Sequence, residues 1–190
     1  EFKGFIDLVW VPQSGKCVET WQVMGYKPYY YFNHNSSFGT EDELRSMIKT
    51  FKNNGIGTIA DVVINHRNTL TSWTDFPVEK YKGVTYQMYS TDICQNDDGG
   101  KTYNWANGQS PKISLSNKYD SGDGWDGIRD LDHYSSNVQT VVKAYLDMLL
   151  NDFGYAGFRY DMVKGYAGKF TGIYNTAAKP GFSVGEYWDG

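Results

Sequence analysis

The chain has 190 residues, of which 40% are hydrophobic and 21% are charged, and its formal net charge is -4. This composition is that of an ordinary globular protein with room for one core, or for one core and a sizeable excursion. The net negative charge argues against a nucleic acid or an acidic membrane as partner. No apolar stretch approaches the length of a membrane span. Aromatic residues make up 17% of the chain, and on composition alone they favour core packing over sugar stacking.

The first part of the chain predicts a strand, a helix and a second strand. Residues 4–11 are apolar and predict the first strand. Thr40 and Glu43 form a capping box, after which apolar residues at helical spacing run to Gly55. Residues 57–64 are apolar enough to be covered on both faces of a sheet. Together these elements predict a βαβ unit with a parallel sheet.

Residues 67–132 interrupt this pattern. They are rich in Gly, Asn, Asp, Tyr and Trp and contain no long periodic helix. Because a structureless loop of this length is improbable inside a domain, we predict a small irregular subdomain inserted after the second strand, with short antiparallel strands. The predicted organisation is therefore barrel residues 1–66, insertion 67–132 and barrel residues 133–190.

The strand and helix pattern resumes after the insertion. An apolar stripe opened by Ser135 or Ser136 and closed near Gly154 predicts a helix. A strand over 156–160, a short helix over 168–178 and a last strand over 182–187 follow. Four parallel strands and one insertion predict an α/β fold that is part of a β/α barrel, because a whole barrel takes roughly 250 residues. We expect the chain to be an internal fragment.

Two carboxylates stand at the predicted ends of neighbouring parallel strands. Asp161 ends one strand and Glu186 ends the next. Side by side, they suit a nucleophile and a general acid acting on one sugar bond. Arg159 lies on the same strand face as Asp161, so we expect it to lower the pKa of Asp161 and keep it ionised; a purely structural pair is the alternative. Asp61 lies deep in an apolar strand and needs a partner, for which Arg159 is the candidate.

Further polar and aromatic residues follow the predicted strands. Asn65 and His66 would lie at the mouth of a barrel, or would form an ordinary strand-ending turn. Tyr26 offers a ring to a sugar, or packs against the barrel rim. Five aspartates lie at positions 120, 123, 126, 130 and 132. As oxygen ligands they would suit calcium better than zinc, although without other context a solvated acidic loop is the favoured interpretation. Cys17 and Cys94 either pair or remain thiols.

The order of these segments resembles glycoside hydrolase family 13, the α-amylase family. Asp-Val-Val-Ile-Asn-His at 61–66 is similar to the first conserved region of that family, residues 157–164 to the second and residues 185–189 to the third. Residues 126–133 resemble the end of the inserted domain B of the family. Three further details are similar to plant-type α-amylases: Gly25-Tyr26-Lys27-Pro28, Lys164-Gly165-Tyr166 and Glu186-Tyr187-Trp188-Asp189.

The resemblance implies a role for each site residue. Asp161 would be the nucleophile and Glu186 the general acid and base of a retaining mechanism, with carboxyl groups about 5–5.5 Å apart. Arg159 would orient Asp161, His66 would hydrogen-bond the sugar beside the scissile bond, and Tyr26 would stack on that sugar. The remaining substrate-binding candidates are Lys164, Gly165 and Trp188. The substrate would be an α-glucan such as starch or glycogen.

The resemblance also implies a bound ion and a location. A structural calcium ion would be held by the side chains of Asn65, Asp120 and Asp130 and by the carbonyls of Asp123 and Gly165. The resemblance therefore favours a calcium site over a solvated acidic loop for these aspartates. The full-length protein would be secreted and monomeric.

Two departures from the family pattern limit these expectations. Many members have Lys-His where this chain has Lys164-Gly165, which affects the fine substrate preference. The third family carboxylate, from the seventh barrel strand, has no counterpart here, since the resemblance covers strands two to five. We therefore expect the isolated chain to be inactive. The alternatives are another activity of the same family, an α-glucosidase or a transglycosidase, and a non-catalytic glucan-binding homologue.

Overall fold

The computed structural model describes residues 4–17 and 24–189. The described residues form eight strands, which in chain order are β1 (Leu8–Val11), β2 (Gly57–Val62), β3 (His66–Arg67), β4 (Glu79–Tyr81), β5 (Val84–Tyr86), β6 (Arg129–Asp130), β7 (Gly157–Tyr160) and β8 (Phe182–Gly185). Their α-helices are α1 (Glu41–Asn53), α2 (Lys101–Asn107), α3 (Ser136–Asp147) and α4 (Gly168–Ala178). Short 3₁₀ turns lie at Ser90–Asp92, Asp97–Gly100 and Val163–Gly165, and α3 continues as a π-helix over Met148–Phe153.

A parallel sheet in the order β1-β2-β7-β8 forms the frame of the molecule. Helix α1 connects β1 to β2 and helix α4 connects β7 to β8, as expected for βαβ units. The insertion and α3 lie between β2 and β7. This is the predicted α/β architecture, a partial (β/α)8 TIM barrel of four strands with an inserted subdomain.

The sheet strands are shorter than the sequence predicted. The first begins at Leu8 instead of residue 4, β2 ends at Val62 instead of 64, and β8 ends at Gly185 instead of 187. Pairing explains the C-terminal limits, because Val62 is opposite Tyr160 and Tyr160 is opposite Gly185. The three strands therefore end at one level, and the residues that follow them are free to leave the sheet.

Capping side chains and a glycine mark the ends of the helices. Both halves of the predicted capping box form at α1, with the Thr40 hydroxyl accepting from the Glu43 N–H. Ser135, one of the two predicted starting residues, caps α3. The π-helix that extends α3 ends at Gly154, whose positive φ of 85° suits a residue without a side chain.

The two faces of the sheet differ in character. On one face, residues of β2 and β7 join the apolar sides of α1, α3 and α4 in one core; its members include Ile48, Ala60, Val62, Val142, Tyr145, Phe158, Tyr160, Phe170 and Tyr174. Because side chains alternate along a strand, the other face carries Trp10, Asp61 and Arg159. One face of the sheet therefore supplies stability, and the other holds charge.

The edge strands are more exposed than the central ones. Among the described strands, β1 and β8 each have one neighbour in the sheet, and β8 is exposed along its whole length. Strand β2, which is buried almost throughout, lies between neighbours on both sides. None of the helices described by the structure has the length and apolar character needed to cross a lipid bilayer.

The insertion contains the predicted short antiparallel strands. Strand β3 pairs with β6 and forms its stem, while β4 and β5 make a hairpin. Because β3 includes His66, the predicted boundary between residues 66 and 67 falls within a strand, and the domain limits stay a prediction. Cys17 and Cys94, both within the described ranges, are not joined by a disulfide.

A buried ion pair attaches the insertion to the loop before α1. Glu79 on β4 is paired with Arg67 on β3, and both side chains are almost fully buried. The Glu79 carboxylate also accepts hydrogen bonds from the N–H groups of Tyr31, at 3.1 Å, and Phe32, at 2.7 Å. Arg67 donates in turn to the carbonyl oxygen of Tyr29. The pair therefore uses two side chains of the insertion to satisfy backbone groups of the loop before α1.

We predict that Glu79→Ala destabilises the intact protein strongly, because it leaves the Arg67 charge and two backbone N–H groups buried without a partner. Loss of one member of a buried pair costs about 3–5 kcal/mol. The matched control is Lys80→Ala, an exposed neighbour on β4, for which the change should be within about 0.5 kcal/mol. Thermal unfolding of both variants measures this, and similar losses in the two would contradict the prediction.

Candidate active site

The two carboxylates singled out in the sequence lie side by side. The Asp161 N–H donates to the Val62 carbonyl at 3.0 Å, and the Glu186 N–H donates to the Tyr160 carbonyl at 2.8 Å. These bonds continue the parallel ladder one residue beyond the strands. Met162, held at a φ of 44°, donates its N–H to Oε2 of Glu186 at 3.0 Å. A left-handed residue other than glycine is strained, and such residues cluster at active sites.

One guanidinium group joins three carboxylates. Nη1 of Arg159 lies 2.8 Å from Oδ1 of Asp161 and 3.0 Å from Oδ1 of Asp61, and Nη2 lies 2.9 Å from Oε1 of Glu186. The register explains the arrangement, since Asp61 is directly opposite Arg159 on the neighbouring strand. The predicted Asp61–Arg159 and Arg159–Asp161 contacts are both present. We call these four residues the carboxylate cluster.

The electrostatics of the carboxylate cluster differ from the prediction. Burial raises the pKa of Asp161 to about 7; Arg159 lowers it, but the charges of Asp61 and Glu186 raise it again. Burial also raises the pKa of Asp61, against the opposing effect of Arg159. Arg159 lowers the pKa of Asp161 as expected, but the net shift is upward, because one cation shared by three acids does not offset desolvation and mutual repulsion.

Two aromatic rings flank Arg159. The predicted Tyr26 ring lies 5.8 Å from the guanidinium carbon, and burial and the charge of Asp61 raise the pKa of its hydroxyl. Trp10, at the end of β1, lies 4.9 Å from the same carbon and donates its indole N–H to Asp61 at 3.1 Å. Sequence reasoning missed Trp10, although its position at the end of the first strand, on the same side as Leu8, was a usable signal.

His66 is more enclosed than expected. It is only 3% exposed, its Nε2–H donates to the carbonyl oxygen of Tyr26 at 2.8 Å, and its ring lies 4.4 Å from that of Trp125. Burial lowers its pKa to about 4, so the ring is neutral at physiological pH. Asn65 and His66 follow the end of β2, both are buried, and Trp125, which the sequence did not single out, lies against His66.

The other substrate-binding candidates lie after β7 and β8. Nζ of Lys164 is 4.0 Å from the ring centre of the exposed Trp188 and 3.2 Å from Oδ2 of Asp123. Gly165 packs directly against the amide of Asn65, and a Cβ added there would collide with it. Lys164 therefore connects the end of the sheet to the insertion, and Gly165 must be a glycine for the approach to Asn65.

The metal-ligand candidates also converge. Nδ2 of Asn65 donates to Oδ1 of Asp130 at 3.2 Å. Burial raises the pKa of Asp130 to about 9, with contributions from the charges of Asp120 and Asp97. The Asp123 N–H donates to the Lys164 carbonyl at 2.8 Å, which brings residue 123 beside Gly165. The predicted set is therefore brought together between the insertion and the sheet.

The aspartates between residues 120 and 132 differ in their exposure to solvent. Asp130 is 2% exposed and Asp132 is also buried, which contradicts a solvated loop for these two, whereas Asp123 and Asp126 are exposed. Within the described ranges, no three His, Cys, Asp or Glu side chains are grouped so that they could hold a metal ion by themselves. Any ion here would depend on the Asn65 amide and on backbone carbonyls in addition to the carboxylates.

Asn96 is a further residue that the sequence did not indicate. Its Nδ2 donates to Oδ2 of Asp120 at 2.9 Å, and its Oδ1 accepts from the Asp120 N–H at 2.9 Å. This reciprocal pair fixes the orientation of the Asp120 carboxylate. Nothing in the local sequence around Asn96 distinguishes it from an ordinary loop asparagine, since the contact joins residues 24 positions apart.

Comparisons with known proteins agree with this geometry. A family model described as the catalytic domain of alpha amylase matches residues 12–181. Alpha-amylase 3, chloroplastic, of Arabidopsis thaliana is 31% identical over 96% of this chain and 19% of its own length. Probable alpha-amylase 2 of the same plant is 29% identical over 87% of this chain and 36% of its own length. The resemblance inferred from the sequence is confirmed.

Solved structures show the same fold at lower identity. An α-amylase from Malbranchea cinnamomea superposes with a TM-score of 0.64 at 22% identity, covering 97% of this chain and 37% of its own. An α-amylase from Geobacillus thermoleovorans, complexed with acarbose, gives a TM-score of 0.63 at 17% identity, covering 96% of this chain and 37% of its own. The chain thus spans about a third of the length of these proteins.

The raised pKa of Asp161 predicts a pH-dependent effect of Asp161→Asn on stability. A carboxyl whose folded-state pKa exceeds its unfolded value stabilises the fold at low pH, and this contribution is lost as the pH rises from about 4 to about 7. The amide has no charge to bury. Relative to wild type, the variant should melt at a higher temperature at pH 8, and the difference should shrink towards pH 4.

Thermal unfolding of the intact protein at several pH values measures this difference. Asp7→Asn, at an exposed position before β1, is the matched control and should show a difference from wild type that does not change with pH. An Asp161→Asn variant that is less stable than wild type at pH 8 would show that the carboxyl is ionised and well compensated.

Proposed function

This chain belongs to the α-amylase family of glycoside hydrolases, and from that premise we propose that it carries most of the active site of an endo-acting α-amylase. The reaction is hydrolysis of α-1,4-glucosidic bonds in starch-like glucans. The observation that carries the proposal is the arrangement of Asp161 and Glu186 at adjacent strand ends, joined through Arg159. A pair of carboxylates flanking one bond is the machinery of glycoside hydrolysis.

In the proposed reaction, a carboxylate oxygen of Asp161 attacks the anomeric carbon and the bond to the leaving oxygen breaks. Glu186 donates its proton to that oxygen. Glu186 then takes a proton from water, whose oxygen displaces Asp161 from the covalent glycosyl-enzyme, so that configuration is retained. Arg159 orients both carboxylates. Asp161 attacks as the carboxylate, a form that Arg159 favours and that burial and the charges of Asp61 and Glu186 disfavour by raising its pKa.

The surroundings of the carboxylate cluster suit a sugar chain. Tyr26 and His66 lie on one side, and the exposed Trp188, with Lys164 against its ring, lies beyond β8. We propose that Tyr26 stacks on the sugar at the scissile bond and that Lys164, Gly165 and Trp188 contact the sugars on the product side. The Trp125 ring lies 4.4 Å from the imidazole, so it would border a sugar that His66 contacts.

The catalytic assignment predicts that Glu186→Gln, made in a complete enzyme that contains this segment, lowers kcat on starch about 10²–10⁴-fold, the usual contribution of a general acid. An aryl glycoside whose leaving group needs no protonation should be cleaved with a much smaller loss in the first step. The matched control is Glu41→Gln on α1, remote from the cluster, which should leave kcat unchanged. Unaltered starch hydrolysis by Glu186→Gln would remove the assignment.

Two rival functions are separated by their products. An α-glucosidase releases glucose from maltose, and a transglycosidase forms longer glucans, whereas an endo-acting hydrolase shortens starch and acts poorly on maltose. A non-catalytic homologue binds glucan without turnover. The presence of both Asp161 and Glu186 favours the hydrolase over the binder, because a binder has no need of the pair.

We propose that a calcium ion joins the insertion to the barrel. The side chains of Asn65, Asp120 and Asp130 and the carbonyls of Asp123 and Gly165 would hold it. The chemistry fits, because all the donors are oxygen atoms and because the charge of Asp120 contributes to the raised pKa of Asp130. A divalent cation would relieve that repulsion. Its contribution would be structural, and the proton transfers above do not involve it.

Calcium removal is therefore expected to lower the melting temperature of the complete enzyme. The Asp130→Asn variant should melt lower than wild type with calcium present and should respond little to a chelator, since it lacks a central ligand. The matched control is Asp126→Asn, an exposed neighbour in the same loop, which should respond to the chelator as wild type does. A wild-type melting temperature that is the same with and without chelator would exclude the site.

Secretion and a monomeric state belong to the same proposal. Both follow from the family resemblance, and one Arabidopsis relative is named as chloroplastic, so a plastid is the alternative location. Cell fractionation of the source organism distinguishes the two locations.

A further inference from the structure

Trp10 makes two contacts to the carboxylate cluster from the edge of the sheet. Its indole N–H donates to Oδ2 of Asp61 at 3.1 Å, and its ring lies 4.9 Å from the guanidinium carbon of Arg159. The register explains both contacts. Trp10 is opposite Ile59, and Asp61 follows Ile59 by two residues on the same face of β2. Trp10 is therefore a diagonal neighbour of Asp61.

Asp61 is the innermost carboxylate of the cluster. It is 1% exposed, and both of its oxygens accept from Nη1 of Arg159, at 3.0 and 3.1 Å. That leaves Nη2 of Arg159 to reach Glu186 at 2.9 Å. Nη1 also lies 2.8 Å from Oδ1 of Asp161, so Asp61 supplies two of the four carboxylate oxygens around the guanidinium group and contributes to its orientation.

We propose that Trp10 is a positioning residue of the active site, which fixes the Asp61 carboxylate through its indole N–H and thereby orients Arg159 towards Asp161 and Glu186. The proposal rests on the proposed function for its catalytic readout. Trp10 acts through Asp61 and Arg159, and it takes no part in the bond changes of the reaction.

The surroundings of Trp10 argue against a role in core packing alone. Trp10 lies on the face of the sheet that carries Asp61 and Arg159, and it is not a member of the apolar core that packs against the helices. Its polar atom is directed at a buried carboxylate, and hydrogen bonds to charged groups are stronger than those between neutral groups. A phenylalanine would keep the contact with Arg159 but could not hold Asp61.

The first experiment compares Trp10→Phe with wild type in a complete enzyme that contains this segment. We expect kcat on starch to fall about tenfold, because a small misplacement of catalytic groups is costly, and KM to stay within about twofold. The matched control is Trp105→Phe in α2, remote from the cluster, which should leave both constants unchanged. A raised KM with unchanged kcat would identify Trp10 as a sugar contact and overturn the proposal.

The second experiment tests whether Trp10 acts through Asp61. Trp10→Phe is combined with Asp61→Ala, and the effect of the tryptophan change is measured in both backgrounds. If Trp10 positions Asp61, its replacement lowers kcat about tenfold in wild type but less than about twofold once Asp61 is absent. Equal effects in the two backgrounds, which a general structural role would give, overturn the proposal. If Asp61→Ala does not fold, Asp61→Leu, which has no acceptor for the indole N–H, serves in its place.

A readout without turnover separates this proposal from the proposed function. Loss of a hydrogen bond to a charged group should lower the melting temperature by about 2–4 °C in wild type and by much less in the Asp61 variant. If the complete enzyme cleaves no glucan but this coupling is present, the proposed function fails and the Trp10–Asp61 link stands. If starch is cleaved and the coupling is absent, the positioning role fails alone.

Discussion

The contact of Arg159 with three carboxylates is the interaction on which the site depends. The guanidinium group reaches Asp61, Asp161 and Glu186, which come from three neighbouring strands or their ends. Without it, two buried acids, Asp61 and Asp161, and the partly exposed Glu186 would face one another with no cation between them, which raises the free energy of their ionised forms. The sheet in turn fixes the distances, because the register places Asp61 opposite Arg159. The geometry of the carboxylate cluster therefore follows directly from the strand pairing.

The division of the sheet into two faces makes this arrangement possible. Apolar residues of β2 and β7 pack against the helices on one side, and this burial stabilises the strands that hold the charges on the other. The alternation of side chains along each strand separates the two roles with single-residue precision. A shift of one residue in the pairing of β7 would put an apolar neighbour in the place of Arg159. The packing that fixes this register therefore also keeps Arg159 in the carboxylate cluster.

Local signals made much of the fold predictable. The capping box at Thr40, the cap at Ser135 and the helix over 168–178 depend on neighbours in sequence, and all are present. The positions of Asp161 and Glu186 followed from strand ends alone. The contacts of Trp10 and Trp125 depend on partners more than 50 residues away in the sequence. The upward shift of the Asp161 pKa depends on burial by the whole fold. Such properties arise only when tertiary structure forms.

The turn after β7 links two regions of the molecule. Its first residue, Asp161, belongs to the carboxylate cluster, and Gly165, four residues on, packs against Asn65 beside Asp130. A ligand that stiffens one end of this five-residue segment lowers the entropy that a second ligand must lose at the other end. Such coupling is reciprocal, so a ligand at the Asn65 end that tightened binding at the carboxylate cluster would itself be held more tightly when the cluster is occupied.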